Sequence, residues 1–478
     1  MFDTIIIGAG VIGCSIAAEL AKYDLKIAVI EKNSDVCEET SKANSGIAHS
    51  GYDAMPGSLK AKYNVKGNKM MAEYCSRLHV PFRQNGSLVI AFDQREIKKL
   101  ELLKAQGVKN GVDGLIILGK DEALKLEPNL NPEIAAAMYA PTGGVVDPFQ
   151  LTIAPAEIAS QNGVEFFFRT TVLSLHKEND IFMVDTDHGI FQTRTIVNAA
   201  GVFSDDLNNM VSRHQRTIKP RKGEYCLFDK QVGSLVGATI FQVPTEKGKG
   251  VLVTPTAEGN LLVGPNSELD DQKEDTMTTA AGIKYVLSTA ARTIPDIPKA
   301  FIITGFAGLR ASEIDGDFVL GEAEDVPGFF NALGIESPGL TSAPAIAIDM
   351  ATWVSDRLKA KKRSGYDPVR KPVHRFDSLS LADKQLLYQQ DHEYGRVICR
   401  CEVVTLAEIK DAIHRPLGAT TVDGVKRRTR AGSGRCQGGF CSPRVLEILA
   451  SELKKDIRKI AKASEKSTFL VGLDKDLL

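Results

Sequence analysis

Gly8-Ala9-Gly10-Val11-Ile12-Gly13 is a G-x-G-x-x-G set between a short apolar run and the start of a helix-like stretch. That spacing suits the pyrophosphate of a dinucleotide. Gly8 permits the tight turn, Gly10 lets the backbone approach the phosphates, and Gly13 lets helix and strand pack closely. The helix N-terminus adds unpaired N–H groups and a partial positive charge. Glu31, at the end of the next apolar run, is placed to accept hydrogen bonds from ribose hydroxyls. A Gly-rich turn alone occurs in unrelated α/β folds, but strand, helix, second strand and acid in this order point to a nucleotide. The chain has no second G-x-G-x-x-G. An enzyme passing hydride from NAD(P)H to a flavin on one chain usually needs two such sites, so one N-terminal site suits FAD better.

A second group of chemically capable residues lies near the C-terminus. Of the eight cysteines, Cys14, Cys37, Cys75 and Cys226 are scattered, whereas Cys399-x-Cys401 and Cys436-x₄-Cys441 form two close pairs. No basic region precedes the first apolar run, and Ile5-Ile6-Ile7 is cut short by Gly8, so no secretory signal is expected. Clustered cysteines then suggest metal ligation in the cytoplasm before disulfides. Zinc ribbons favour C-x₂-C pairs, so this spacing fits zinc less well. Helix starts follow both pairs: Thr405-Leu406-Ala407-Glu408 reads as a capping box, and Ser442-Pro443 as an N-cap with proline at N1. Both helices would point positive ends at a metal centre, and Lys426-Arg427-Arg428-x-Arg430 would add cations.

The elements that must position these residues follow from periodicity. Thr4–Ile7 and Ile27–Ile30 read as buried strands around a helix from Val11 to Lys22, a β-α-β unit. Leu59 to Leu78 and Arg95 to Ala105 read as helices, with a strand at Ser87–Phe92 between them. Another strand ends at Asn198-Ala199-Ala200-Gly201. The alternation from Gly223 to Gly264 suits an antiparallel sheet, and a helix is expected from about Ala343 to Leu358. Lys359 to Gly365, with Pro368 and Pro372 beyond, reads as a linker before a mostly helical tail. At about 150 residues per domain, 478 residues allow roughly three structural units. A net charge of −1 recruits neither nucleic acid nor an anionic membrane, and no apolar stretch is long enough to span a bilayer, which leaves at most peripheral membrane contact.

The Gly-rich unit, Asn44-Ser45-Gly46-Ile47-Ala48-His49-Ser50-Gly51, Asn198-Ala199-Ala200-Gly201 and Gly308-Leu309-Arg310 together resemble the D-amino-acid-oxidase-like FAD oxidoreductases. Within that superfamily the chain looks most like the anaerobic-type glycerol-3-phosphate dehydrogenases (A subunit). It is also similar to L-2-hydroxyglutarate dehydrogenases, notably in Pro56-Gly57-Ser58-Leu59-Lys60-Ala61-Lys62 and Arg221-Lys222-Gly223-Glu224-Tyr225. The resemblance implies an α/β fold with a Rossmann-like FAD domain made of residues 1–80, 145–220 and 305–360. An inserted antiparallel β substrate domain would comprise 81–144 and 221–304, followed by a linker over 361–390. A small, mainly helical [2Fe-2S] domain and tail would fill 391–478. For that last domain the likeness is to the bacterioferritin-associated-ferredoxin-like fold. It rests on Ile398-Cys399-Arg400-Cys401-Glu402 and Gly434-Arg435-Cys436-Gln437-Gly438-Gly439-Phe440-Cys441. Four thiolates around two irons make a cluster of net negative charge.

Residue by residue, the resemblance places Ser45 and Gly46 near the flavin pyrophosphate and Val172 by the adenine. Ala200 and Gly201 would lie along the dinucleotide, with Gly339, Leu340 and Thr341 at the isoalloxazine edge. The residues agree at Ser337-Pro338-Gly339-Leu340-Thr341: a Gly turn before a helix presents N–H groups to the flavin O2, where negative charge grows on reduction. Thr341 could equally serve only as a helix cap.

Oxidising a secondary alcohol with a flavin needs a proton acceptor, a hydride acceptor and a cation for the substrate's anionic end. His49 is the candidate base, because imidazole titrates near neutrality. Arg310 matches the family's substrate-anchoring arginine, unless it is merely paired with Glu313. Arg221 and Lys222 precede a strand expected to face the pocket and would add charge. Several cations suit a phosphate better than one carboxylate. The expected activity is therefore oxidation of sn-glycerol 3-phosphate to dihydroxyacetone phosphate. Electrons would pass through a [2Fe-2S] cluster to an electron-accepting flavoprotein or iron–sulfur subunit. L-2-hydroxyglutarate or another 2-hydroxy acid is the rival substrate. An electron-transfer subunit with a structural FAD is the rival from another class.

Overall fold

Phe2–Ile7 is apolar but for Asp3 and Thr4 and buried at every position but Asp3, as suits a strand covered on both faces. In the computed structural model it pairs in parallel with Ile27–Ile30 on one side and with Gly189–Asn198 on the other. The structure describes residues 1–244 and 250–472; residues 245–249, inside the alternating stretch from Gly223 to Gly264, and 473–478 of the tail lie outside the described residues.

This first sheet runs Val172–Glu178, Ile181–Thr186, Gly189–Asn198, Phe2–Ile7, Ile27–Ile30 and Glu165–Phe167, with Phe329–Leu333 and Val319–Glu322 joined beside Gly189–Asn198. Alternate residues supply two cores. Ile6, Val29 and Val197 pack beneath the helices Val11–Leu20, Pro148–Gln161 and Gly339–Leu358, while Ile5, Ile7 and Ala28 pack against Phe182 and Phe329. Helix Leu59–Arg77 crosses Gly339–Leu358 at Gly67, where a Cβ would lie 2.0 Å from the Thr341 carbonyl oxygen. That close approach carries the expected flavin-edge segment.

The second sheet has nine strands, dominated by the antiparallel pair Ile218–Phe228 and Ile302–Glu313. Both expected domain boundaries here, at 220/221 and 304/305, fall inside these strands. The two strands stay in one register from Ile218↔Glu313 to Leu227↔Thr304, across both positions, so composition gave no edge to find. The sheet is also mixed rather than purely antiparallel. Thr239–Gln242 runs parallel to Ser87–Ala91, because the chain passes through much of the first sheet between them and can return by a crossover. Helix Gly339–Leu358 begins four residues before the expected Ala343.

After residue 360 the chain is not a free tether. Arg363 donates to the Tyr23 and Leu25 carbonyls. Arg370, 2% exposed, pairs with Glu157 at 2.6 Å and donates to Gln150 and the Leu78 carbonyl. The C-terminal region has its own core, in which Ile398, Val404, Ile409, Val425, Val445 and Leu449 bring together the helices Leu406–His414, Val422–Thr429 and Ser442–Leu453.

Candidate functional site

Gly8 has a φ of +105°, and a Cβ there would lie 2.5 Å from the Ala199 carbonyl oxygen, so neither conformation nor space admits a side chain. A Cβ on Gly13 would lie 1.9 Å from the Gly8 oxygen. Gly10 is different: only Ser41 Oγ, at 3.0 Å, stands near its Cβ position, and the residue lines the large cavity. Ser41 Oγ accepts the Val11 N–H at 2.9 Å, which folds the following loop over the helix N-terminus. The motif gave no hint of this serine. Glu31 accepts the Ala9 and Asn33 N–H groups, each at 2.8 Å, and burial pushes its carboxyl up against those hydrogen bonds. It braces the glycine turn and stands outside the cavity lining.

The cavity, about 590 Å³, lies between the two sheets and reaches from Gly10 and Gly201 to Arg221, Phe241 and Arg310. Ser45, Gly46, Gly201, Gly339 and Leu340 line it. Gly201 takes a φ of +57° with nothing within 4 Å of its Cβ position. Val172 and Ala200 do not line the cavity; both pack on the Ile5–Ile7 side of the first sheet. Crowding at Gly8 and Gly13, a cavity-facing Gly10 and open space at Gly201 make a cradle for an extended dinucleotide, and these residues fit FAD.

At the far end, Gly339 spends its N–H on the Glu336 carbonyl, leaving Leu340 and Thr341 with N–H groups the helix does not use. The N-cap is Pro338, so Thr341 is no cap. Its hydroxyl accepts the His49 N–H at 2.9 Å and reaches the Ile47 carbonyl at 3.3 Å. Thr341 therefore points away from the cavity and ties the His49 loop to the helix. The His49 carbonyl accepts from Asn64 (2.6 Å) and Asn68 (3.1 Å), and its Nε2 lies 3.3 Å from Ser337 Oγ. His49 is half-buried and lines the cavity, with its ring centroid 6.0 Å from that of Phe241.

Arg221 and Arg310 sit directly opposite each other on the long strand pair, and both line the cavity. Arg310 donates to the Asn266 carbonyl (2.9 Å) and Ser267 Oγ (3.4 Å), while Glu313 lies near Arg216. A Cβ on Gly223 would lie 2.4 Å from Arg310 Nη2, so this glycine makes room for the guanidinium. Glu224 takes hydrogen bonds from Asn266 Nδ2 and from the Thr279 N–H, and its own N–H donates to Asn266 Oδ1. Asn266 is thereby fixed beneath Arg310. Lys222, expected beside Arg221 in the pocket, turns away from it. Neighbouring strand residues face opposite ways, and its Nζ pairs with Asp275 at 2.7 Å, outside the cavity lining. Lys60, not foreseen as a site residue, lines the cavity and pairs with Glu336 at 2.6 Å. Burial pushes the Glu336 carboxyl up, but Lys60, Ser312 and Arg221 together hold it below its usual range.

The four C-terminal cysteines are free thiols. Cys401 and Cys436 have their sulfurs 3.7 Å apart, and Cys399 is hydrogen-bonded to Cys441. The Cys441 thiol, with the Gly432 and Glu402 N–H groups, holds Cys399 down to about 6. N–H donors from Phe440 and Gly438, and the Cys401 thiol, lower Cys436. Among the described residues, no three His, Cys, Asp or Glu side chains converge as on a single ion. Two thiol pairs served by backbone donors fit the two irons of a [2Fe-2S] cluster.

The capping box at Thr405–Glu408 is present. The other helix starts one residue earlier than read: Cys441 is its N-cap and Ser442 is already helical, its N–H donating to the Gly438 carbonyl. The basic run turns inward. Arg427 and Arg428, each 4% exposed, pair with Asp35 at 2.8 and 2.7 Å, and Arg427 also with Glu38. Arg430 pairs with Glu402 at 2.7 Å. Arg427 and Arg428 clamp the C-terminal region to the nucleotide domain, a role invisible in sequence because Asp35 lies 392 positions from Arg427.

Cradle, cationic cavity and candidate proton acceptor define a flavin-dependent oxidoreductase. Residues 3–353 match the model of the FAD dependent oxidoreductases, and the chain belongs to that family. Residues 397–451 match the BFD-like [2Fe-2S] binding domain. The chain is 50% identical to the glycerol 3-phosphate dehydrogenase of Caloramator mitchellensis, over 99% of this chain and 98% of that one. It is 35% identical to the glycerol 3-phosphate oxidase of Mycoplasma genitalium, over 77% of this chain and 97% of that protein. Among solved structures, the FAD-bound L-α-glycerophosphate oxidase of Mycoplasma pneumoniae matches with a TM-score of 0.74 at 33% identity, covering 78% of this chain and 99% of that one. Among the described residues, no helix is long and apolar enough to cross a membrane.

Proposed function

We propose that the enzyme oxidises sn-glycerol 3-phosphate at its secondary hydroxyl to dihydroxyacetone phosphate, and sends the electrons through the [2Fe-2S] cluster to a separate acceptor. The observation that carries this reading is the pair Arg221 and Arg310, opposite one another and facing one cavity. Like charges so placed repel. A phosphate, with close to two negative charges at neutral pH, relieves that repulsion more fully than one carboxylate. The activity of the half-identical Caloramator relative supports the same substrate. The Gly223-Glu224 likeness to hydroxyglutarate enzymes does not discriminate, since both residues serve the placement of Arg310.

FAD, when bound, supplies the hydride acceptor and stores the electrons until they leave. The chain's own residues do the rest. Arg221 and Arg310 bind the phosphate and turn the hydroxyl-bearing carbon toward the Gly339–Leu340 end. His49 Nε2 takes the hydroxyl proton once the substrate hydroxyl replaces Ser337 Oγ, which stands 3.3 Å from it. Tyr225, stacked on Phe306 at 4.7 Å, and Phe241 line the cavity as apolar walls that exclude water. Anaerobic bleaching of the flavin tests the reading: glycerol 3-phosphate should reduce it faster than L-2-hydroxyglutarate. The reverse order would overturn the substrate, and bleaching by neither would make the FAD structural.

A further inference from the structure

The four cysteines differ in their access to solvent. Cys399 and Cys441 are buried, whereas Cys401 is exposed and Cys436 intermediate. One edge of the cysteine site therefore opens outward. Phe440, between Cys436 and Cys441, stands 87% exposed at that edge. Arg400, between Cys399 and Cys401, Arg435, before Cys436, and Arg444, in the first turn of the Ser442–Leu453 helix, are all exposed. Arg435 touches Asp229 at 3.1 Å. Among the described residues, neither Arg400 nor Arg444 has a carboxylate partner. Glu402, the acidic residue next to Cys401, is buried against Lys230 and Arg430. Glu447, one turn beyond Arg444, is exposed. Three exposed arginines and one bare aromatic ring, all within three residues of a cysteine of the site, contrast with Arg427 and Arg428, which are spent inside the protein.

Arginine and aromatic side chains are the types enriched where proteins bind one another. We infer that this edge is the docking face for a one-electron carrier protein whose own redox group opens on a carboxylate-rimmed surface. The inference rests on the electron relay proposed above. Each alcohol oxidised releases two electrons and a [2Fe-2S] cluster accepts one. With a one-electron carrier, two molecules must then leave per turnover, each with one electron. That demand favours brief, electrostatically steered encounters over a permanent contact. An anionic lipid surface would also attract arginines, but it would cover the exposed thiols, and a single phenylalanine is little apolar area to insert.

The test uses the whole holoenzyme and a reduced plant-type [2Fe-2S] ferredoxin, an acidic carrier, which loses one electron as the enzyme's oxidised cluster gains it. Stopped-flow absorbance gives the second-order rate. It should fall steeply with added salt in the native enzyme. Arg400→Glu combined with Arg444→Glu should slow it at least about tenfold at low salt and flatten the salt dependence, a change expected when steering charges are reversed. Flavin and iron content should stay equal to the native protein's. Arg444→Glu alone, three residues beyond Cys441, should act in the same direction and guards against damage to the cluster. A rate unchanged in both variants overturns the docking face. So does a native enzyme that binds phosphatidylserine vesicles through these arginines while its ferredoxin rate ignores their reversal. If substrate fails to reduce the native cluster, the relay is overturned instead, because the ferredoxin measurement does not pass through the flavin.

Discussion

Arg221 and Arg310 are cross-strand partners in the same antiparallel ladder, and both open on one cavity. Like charges placed opposite one another repel, and the second sheet holds them there. Gly223 gives up its side chain so that Arg310 can lie flat, and Glu224 fixes Asn266, whose carbonyl anchors the guanidinium. The strain of two facing cations is a binding asset only if an anion joins them.

Arg310→Ala should cost about 2–5 kcal/mol of transition-state binding, the loss expected when a desolvated charge partner is removed. It should appear as a fall in kcat/KM for flavin reduction by glycerol 3-phosphate. Lys222→Ala, which breaks the Asp275 and Asp270 pairs outside the cavity lining, should leave kcat/KM within about threefold of native, because neither pair reaches the substrate. Equal losses in the two variants would contradict the strand geometry.

Gly10→Val should give colourless protein. The first added carbon already meets Ser41 Oγ at 3.0 Å, and the branches beyond it would enter the space left for the pyrophosphate. The ratio of flavin absorbance to protein absorbance after purification measures this directly, and a native ratio would remove the glycine turn from the cofactor site.

Native protein should contain about two irons and matching acid-labile sulfide per chain, as four thiolates around one cluster imply. Cys436→Ser should lose the cluster's visible circular dichroism while substrate still bleaches the flavin. Loss of both together would show that the centres depend on one another for assembly.

Asp35→Asn should leave Arg428 buried without a carboxylate and Arg427 with Glu38 alone, and cost about 3–5 kcal/mol of the C-terminal region's attachment. Limited proteolysis between residues 360 and 397 reads it. The native pairing also has a pH signature. Burial pushes the Asp35 carboxyl up, but Arg428 and Arg427 outweigh it and hold the group below its usual range. Its stabilisation is therefore complete above the ordinary carboxylate pKa of about 4 and is lost as pH falls through the depressed value. Protease sensitivity should rise on acidification in the native protein and be present at neutral pH in the variant.

What could be read from sequence was mostly local. The Gly8–Gly13 turn, the strands around it and the Thr405–Glu408 capping box each declare themselves within a few residues, because the backbone geometry they serve is itself local. Periodicity placed Leu59–Arg77 to within a residue. It failed where a side chain's partner is remote. Nothing near Arg427 or Arg428 announces Asp35, and nothing near Glu31 says that its carboxylate braces Ala9. Lys222 was misplaced for a simpler reason: it follows Arg221 by one residue, and a strand sends the two to opposite faces. Alternation at Arg221, Gly223 and Tyr225 against Lys222 and Glu224 was the available signal. Ser41 and Asn266 had none, since their roles are set by folding of the loops that carry them.

The loop that carries Asp35 and Glu38 runs on, within a few residues, through Ser41, Ser45 and Gly46 on the cavity wall. One short segment thus grips the iron–sulfur domain with its first half and borders the flavin cradle with its second. Whatever free energy the cofactor contributes to ordering that segment is returned as tighter attachment of the C-terminal domain, and attachment returns the same amount to cofactor retention. The two redox modules share this segment, so loss of the cofactor should loosen the C-terminal domain's hold without any atom passing between them.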